Sequence, residues 1–475
     1  MVNVNQLRLT GDECISDFFL DQSFEQRYTE QDIRRISTLL RSVDDGAWSD
    51  IPRLYIVLRR IGLLELRDHF ISKRITDANF PLSDSSFPSI MGPLQRSAFL
   101  QMQRCVLTDA TQAGKCELGE HAHFADPEQI PFRMETILGT GGYAQVEEVV
   151  STITFRQYAR KLFHRRTFGR FQDSLVDFVN ELNALKRVRH QHIVEIVGSY
   201  TDPRYAALIM SPVADCDLSY FLKMATPLRR NMSLLRTFFG CLATAVSHLH
   251  SVRIRHKDIK PHNILVKDGT VLLTDFGISR DCNNTRSTTE GPTTRTPRYC
   301  APEVADDSPR SFSSDIWSLG CVYLEMISVL KGYSLEDMTA FFDSNGSQAR
   351  SFCANPKAIS RWMAQLSESQ AQEPDNMPLA WIEQMLRPDR SRRPSASALV
   401  AEITSHRSAS DRIGEFCGIC CRIEDESFAD SSEALASSLA SLNSPMIPTI
   451  EDPSKIGIAS ASNSIPDATQ GKYLT

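Results

Sequence analysis

RIRHKDIKPHNILV, residues 253–266, and DFG, residues 275–277, decide the reading of this chain. Asp258, Lys260, Asn263 and Asp275 crowd into one short strand-loop-strand stretch, set between the β-branched and leucine positions Ile259, Ile264, Leu265 and Val266. Upstream, LGTGGYAQV (138–146) puts Gly139 and Gly141 in a turn between two strand-like runs, where backbone without a Cβ can approach phosphate oxygens and offer its N–H groups. Taken alone, such a turn is equally a plain glycine hairpin. In TFRQYARKLFHRR (154–166), Lys161 lies in a short β-like run, as a cation must to hold phosphates from a nearby strand. An isolated lysine would ordinarily sit at the surface. DSLVDFVNELNALKRVRH (173–190) has a helical stripe of Val179, Leu182 and Leu185, with Glu181 beside it and within reach of Lys161.

Together these blocks resemble the eukaryotic-type serine/threonine protein kinase family, over residues 130 to 405. The resemblance implies an α+β bilobal fold, with a small β-rich N-lobe, a larger helical C-lobe and a helical region in front. HKDIKPHN matches the catalytic loop H-R-D-x-x-x-x-N, so Asp258 is expected to orient and deprotonate the substrate hydroxyl, with Asn263 and Asp275 holding Mg²⁺ and Lys161 and Glu181 forming an ion pair on the ATP phosphates. Lys260 stands where Ser/Thr kinases carry a lysine toward the migrating phosphoryl, and Thr296 where they hydrogen-bond the catalytic Asp and Lys. Met210 resembles the gatekeeper and Ser211 to Val213 the hinge that meets adenine. Leu138, Val146, Ala159 and Leu265 would be the apolar walls, although each is equally expected as lobe-core packing. Ala301-Pro302-Glu303 matches A-P-E, Asp315 is expected to hold the catalytic-loop backbone, and Arg393 to pair with Glu303. The implied activity is transfer of the ATP γ-phosphoryl to protein Ser/Thr hydroxyls. The alternative is a pseudokinase or scaffold that binds ATP or a partner without transfer.

Three positions depart from the family pattern. Ala144 replaces the third loop glycine, Lys257 the arginine of H-R-D, and Arg295 a glycine before Thr296. Lysine lacks the planar fork that grips phosphate in two places, so Lys257 should hold a phosphorylated activation segment less firmly. That segment carries Ser287, Thr288, Thr289, Thr293 and Thr294; phosphorylation at Thr293 or Thr294 and an unmodified polar loop are both open.

The rest of the chain is less explicit. Its 475 residues suffice for two or three units, and 52 Lys plus Arg against 58 Asp plus Glu give no reason to expect nucleic acid as a partner. No secretory leader or membrane span is expected, which suggests an intracellular protein, cytoplasmic or nuclear. Residues 1–125 read as a helical region expected to pack on or regulate the stretch that follows. Thr29 and Asp32 have capping-box spacing, Asp50 and Pro52 open a second helix, and FPLSDSSFPSIMGP (80–93) makes a loop or a packed strip. WSDIPRLYIVLRRI (48–61) resembles regions that precede fungal kinase domains and implies no function. After the kinase-like stretch, a tail spans 406–475, and its small polar residues from about 423 should not order themselves. The 12 cysteines suggest no disulfides. FCGICC (416–421) has C-x-x-C spacing, but zinc would need further ligands that no neighbouring sequence supplies. Thiols packed on the domain are the favoured reading, and lipidation lacks a supporting basic or amphipathic patch.

Overall fold

β-branched and aromatic residues on either side of the glycine turn pair into a sheet, in a computed structural model that describes residues 15–20, 26–43, 48–140, 144–165, 172–228, 231–275, 297–306, 311–347, 349–369, 373–405 and 416–422. Gly141, Phe276, Gly277, Arg295, Thr296, the hydroxyls of the activation segment and the tail from 423 lie outside these residues. The strands are β1 (His121–His123), β2 (Phe132–Thr140), β3 (Ala144–Ser151), β4 (Gln157–His164), β5 (Glu195–Thr201) and β6 (Tyr205–Ser211), in the order β1-β5-β6-β4-β3-β2. Cross-strand register places Val146, Ala159, Lys161, Leu208 and Met210 on one face. That face meets the larger core, with helix α3 (Gln172–Lys186) against it. The opposite face, with Tyr158, Leu162, Ala207 and Ile209, packs on Ala113, Cys116, Ala122 and Phe124. Burial on both faces explains why YAALIMS in β6 is apolar without alternation.

The helical lobe implied by the family resemblance follows. Helix α4 (Met232–Ser251) and helix α5 (Phe312–Leu330) run through a core that buries Trp317, Trp362 and Trp381. The three-stranded sheet β7 (Cys216–Asp217), β8 (Ile264–Lys267) and β9 (Thr270–Leu273) carries the residues between Asn263 and Asp275. α4 is the one helix among the described residues long and apolar enough to cross a membrane, which the search for unbroken apolar runs did not pick out. Its Leu235, Phe238, Phe239, Leu242 and Val246 are buried in this lobe.

In front of the sheet, the region read as helical does hold helices, among them α1 (Glu30–Val43) and α2 (Pro52–Arg60). The Thr29/Asp32 capping box forms, with Thr29 N to Asp32 Oδ2 at 2.9 Å and Asp32 N to Thr29 Oγ1 at 3.2 Å. Pro52 opens the second helix, but its N-terminal amides are satisfied by Asp77 rather than Asp50: Arg53 N to Oδ2 at 2.8 Å and Leu54 N to Oδ1 at 3.2 Å. The proline-rich strip is packed, with Phe80, Leu82, Phe87 and Met91 buried. The helical reading misses the end of the region, where β1 adds to β5 as a parallel edge strand. Three residues carry no periodic signal, and the pairing partner lies 78 residues away (121 to 199).

The contact is close at Gly198 of β5, where a Cβ would stand 1.5 Å from the Cys116 carbonyl oxygen. Gly198→Ala should therefore push the 110–118 segment off the sheet and cost about 1–3 kcal/mol. Thermal denaturation with limited proteolysis checks this; an unchanged melting temperature and cleavage pattern would contradict the packing described.

Candidate active site

Buried on β4, the Lys161 ammonium lies 2.8 and 2.7 Å from the two carboxylate oxygens of Glu181 on α3, and it also contacts Asp275. Burial alone opposes its charge. The carboxylates of Glu181 and Asp275 outweigh that and raise its pKa above the ordinary lysine value. In return, the Lys161 cation holds Asp275 below the usual carboxylate range. The pair joins the sheet, α3 and the end of β9 in one contact.

A second group forms on the loop before β8. Lys260 Nζ lies 2.6 Å from Asp258 Oδ2, and Asn263 Nδ2 donates to the Asp258 carbonyl at 2.9 Å and to its Oδ2 at 3.0 Å. The loop is bound to the Asp275 strand, since Thr274 N donates to Asn263 O at 3.0 Å. His256, which sequence reasoning passed over, ties the same parts together: Nε2 donates to Thr274 O at 2.9 Å, and Nδ1 accepts from Asp258 N at 3.4 Å. These two partners specify one tautomer.

Asp315 holds the loop backbone as the family pattern implied. Oδ2 accepts from His256 N at 3.0 Å and Oδ1 from Lys257 N at 2.8 Å. His250, at the end of α4, adds a contact to Oδ2 at 3.0 Å that no sequence signal announced. Arg393 grips Glu303 through both guanidinium ends at 2.8 Å each and stacks over Trp317 at 5.0 Å.

The other expected positions fall around the junction of the lobes. Val146, Ala159 and Met210 share the Lys161 face, with Ala159 and Met210 buried and paired across β4 and β6. Leu265 is half-buried on β8, and Leu138 is 46 % exposed at the rim. Leu138, Ser211 and Val213 line a recess shared with Glu117–Gly119, a neighbour that sequence reasoning did not foresee. At Gly139 a Cβ would meet nothing within 4 Å, so the backbone there is open to a ligand.

The family model for the protein kinase domain matches residues 132–404. The chain belongs to the protein kinase family. Among curated relatives of this kinase are mitogen-activated protein kinase kinase kinase A of Dictyostelium discoideum (28 % identical, 46 % of this chain and 23 % of that protein). Another is cAMP-dependent protein kinase type 3 of Saccharomyces cerevisiae (31 %, 45 % and 50 %). Serine/threonine-protein kinase STK11 of Homo sapiens is 25 % identical over 45 % of this chain and 51 % of its own. The matches span about half or less of these relatives' lengths.

Two predictions follow from the buried charges. Lys161→Met leaves the buried Glu181 without its cation and should cost about 3–5 kcal/mol in chemical denaturation, part of it recovered in Lys161→Met/Glu181→Gln; a neutral single variant would contradict the pairing. For Asp315, burial raises the pKa, but the hydrogen bond to His250 and the His256 and Lys257 contacts outweigh it and hold the group below its ordinary 3.8. A depressed carboxylate contributes stability above its unfolded pKa and loses it as pH falls through the folded value. The destabilisation by Asp315→Asn should thus be largest above about pH 4 and shrink below it; a pH-independent difference would contradict this.

Proposed function

We propose that this chain is a serine/threonine protein kinase that transfers the γ-phosphoryl of ATP to Ser/Thr hydroxyls of protein substrates. The observation that carries the reading is the convergence of two groups, Asp258 with Lys260 and Asn263, and Lys161 with Glu181 and Asp275, on strands joined through Thr274 and Asn263.

The residues suit ATP and Mg²⁺. Asn263 spends its amide nitrogen on Asp258, so its remaining ligand atom is the oxygen, and Lys161 keeps Asp275 ionised with 45 % of that side chain exposed. A carboxylate and an amide oxygen are the hard donors magnesium prefers. ATP supplies the group transferred and magnesium the screening of its charge.

In this reading, Lys161, positioned by Glu181, binds phosphate oxygens. Asp258 orients the incoming hydroxyl and accepts its proton, while Lys260 neutralises charge on the moving phosphoryl. Leu138, Val146, Ala159, Met210 and Leu265 exclude water around adenine, and backbone of Ser211 to Val213 meets its edge. Gly139 lets the loop approach the phosphates; Gly141 and Thr296 complete the family set by resemblance. A regulatory role for residues 1–125, acting through the β1 and 110–118 contacts, and an intracellular site of action belong to the same reading.

The test uses the full chain with labelled ATP, Mg²⁺ and generic protein substrates. Asp258→Asn should retain the fold and lose about 10²–10⁴-fold in transfer, and Asp275→Ala should abolish magnesium-dependent labelling. Wild-type labelling no greater than that of Asp275→Ala would overturn the reading in favour of a non-transferring scaffold.

A further inference from the structure

Against the helical lobe, the FCGICC segment meets two residues that sequence spacing could not associate with it. His192, Cys241, Cys420 and Cys421 present one ligand atom each, all within 4.8 Å of one another. Cys241 Sγ lies 3.7 Å from Cys420 Sγ and 3.8 Å from Cys421 Sγ. His192 Nε2 lies 3.4 Å from Cys420 Sγ and 3.2 Å from Cys421 Sγ. A tetrahedral zinc ion, with bonds of about 2.3 Å to sulfur and about 2.0–2.1 Å to nitrogen, sets sulfurs about 3.8 Å apart and sulfur and nitrogen about 3.5 Å apart. These four edges correspond to that tetrahedron, and the remaining two lie within 4.8 Å. They also stand well beyond the roughly 2.05 Å of a disulfide.

The surroundings suit a metal as well as the edges do. His192 Nδ1 donates to the Val271 carbonyl at 2.8 Å, which leaves the Nε2 lone pair facing the sulfurs. Ligating histidines ordinarily have such a partner behind them. Thr244 Oγ1 donates to the Cys241 carbonyl at 2.9 Å and lies 3.6 Å from Cys421 Sγ. Two glycines let the backbones come together. A Cβ on Gly240 would stand 2.6 Å from both Cys417 Cβ and the Phe416 oxygen, and one on Gly418 would stand 2.6 Å from Cys420 Sγ. Gly240 N donates to Phe416 O at 2.6 Å, and the Phe416 ring packs edge-on against Phe239 and Trp381.

We propose that His192, Cys241, Cys420 and Cys421 form a structural zinc site of three thiolates and one imidazole that clamps the 416–422 segment to the kinase domain. The ligands are the adjacent pair Cys420 and Cys421, not the C-x-x-C pair that the spacing suggested, and Cys417 packs beside them against Gly240. The clamp reaches the active-site strand. Leu273 N donates to His192 O at 2.8 Å and Val194 N to Leu273 O at 3.0 Å, two residues before Asp275. Zinc thus fastens the segment after the domain, α4 and β9 to one point. The site stands whether or not the chain transfers phosphate.

The test is metal analysis of the untagged full chain, loaded with Zn²⁺ and dialysed against metal-free buffer. The expected result is about one zinc per chain, an X-ray absorption shell of three sulfurs and one nitrogen, and a fall in melting temperature with a strong chelator. Cys420→Ser and His192→Ala should each bind zinc at least about tenfold more weakly, whereas Cys353→Ser, outside the cluster, retains it. Co²⁺ loading of the wild type needs no variant and should give thiolate-to-metal charge-transfer absorption. Zinc below about one tenth per chain, a metal shell without sulfur, a Cys241–Cys420 disulfide in the freshly isolated chain, or full retention of zinc by a folded Cys420→Ser would each overturn the proposal.

Discussion

A lysine ammonium buried between two carboxylates holds this domain in register. Taking Lys161 out of water is costly, and the carboxylates of Glu181 and Asp275 outweigh that cost and keep it charged. Each partner belongs to a different part of the fold: α3 for Glu181, the end of β9 for Asp275, and the central strand of the sheet for the lysine. The relative positions of helix, sheet and the Asp275 strand are therefore coupled through one cation. A shift of Lys161 or Glu181 leaves a buried charge uncompensated, whereas the half-exposed Asp275 can exchange this contact for water.

The substrate side depends on backbone control of a different kind. Lys257 and Asp275 both adopt left-handed conformations, at φ 68° and 71°. Such residues cost about 1–3 kcal/mol and persist where the surroundings over-determine them. Here the surroundings are identifiable. Asp315 accepts from the amides of His256 and Lys257, and His256 binds Thr274 on the next strand. The network converts a flexible loop into a fixed support for Asp258 and Asn263, while the buried Glu303–Arg393 pair anchors the segment that follows.

Additions at both ends of the domain pack on this core. Before it, β1 and the 110–118 segment cover the outer face of the sheet, with His123 and Thr201 sharing the Phe80 carbonyl. After it, the 416–422 segment crosses α4 and touches the loop that feeds β5 and pairs with β9. The first addition packs on β4 and β6, the strands of Lys161 and Met210, whereas the second reaches Asp275 only through the backbone pairing of His192 with Leu273.

The local sequence determined the chemistry that is written close together. Asp258, Lys260 and Asn263 lie within six consecutive positions, and a strand-loop-strand pattern suffices to bring them into contact. The Thr29–Asp32 cap and the Pro52 helix start were legible for the same reason: their partners lie within one turn or begin it. Family resemblance extended this to Lys161 with Glu181 and to Arg393 with Glu303, pairs whose separation no periodicity could bridge. Only the tertiary structure decided the rest. Asp77 caps a helix 23 residues before it, His256 and His250 gather at the catalytic loop, β1 finds β5, and His192 and Cys241 meet Cys420 and Cys421 across 228 and 179 residues. Contacts of that range arise from how helices and strands pack. Packing depends on the shape of every intervening element, which no short stretch of sequence encodes.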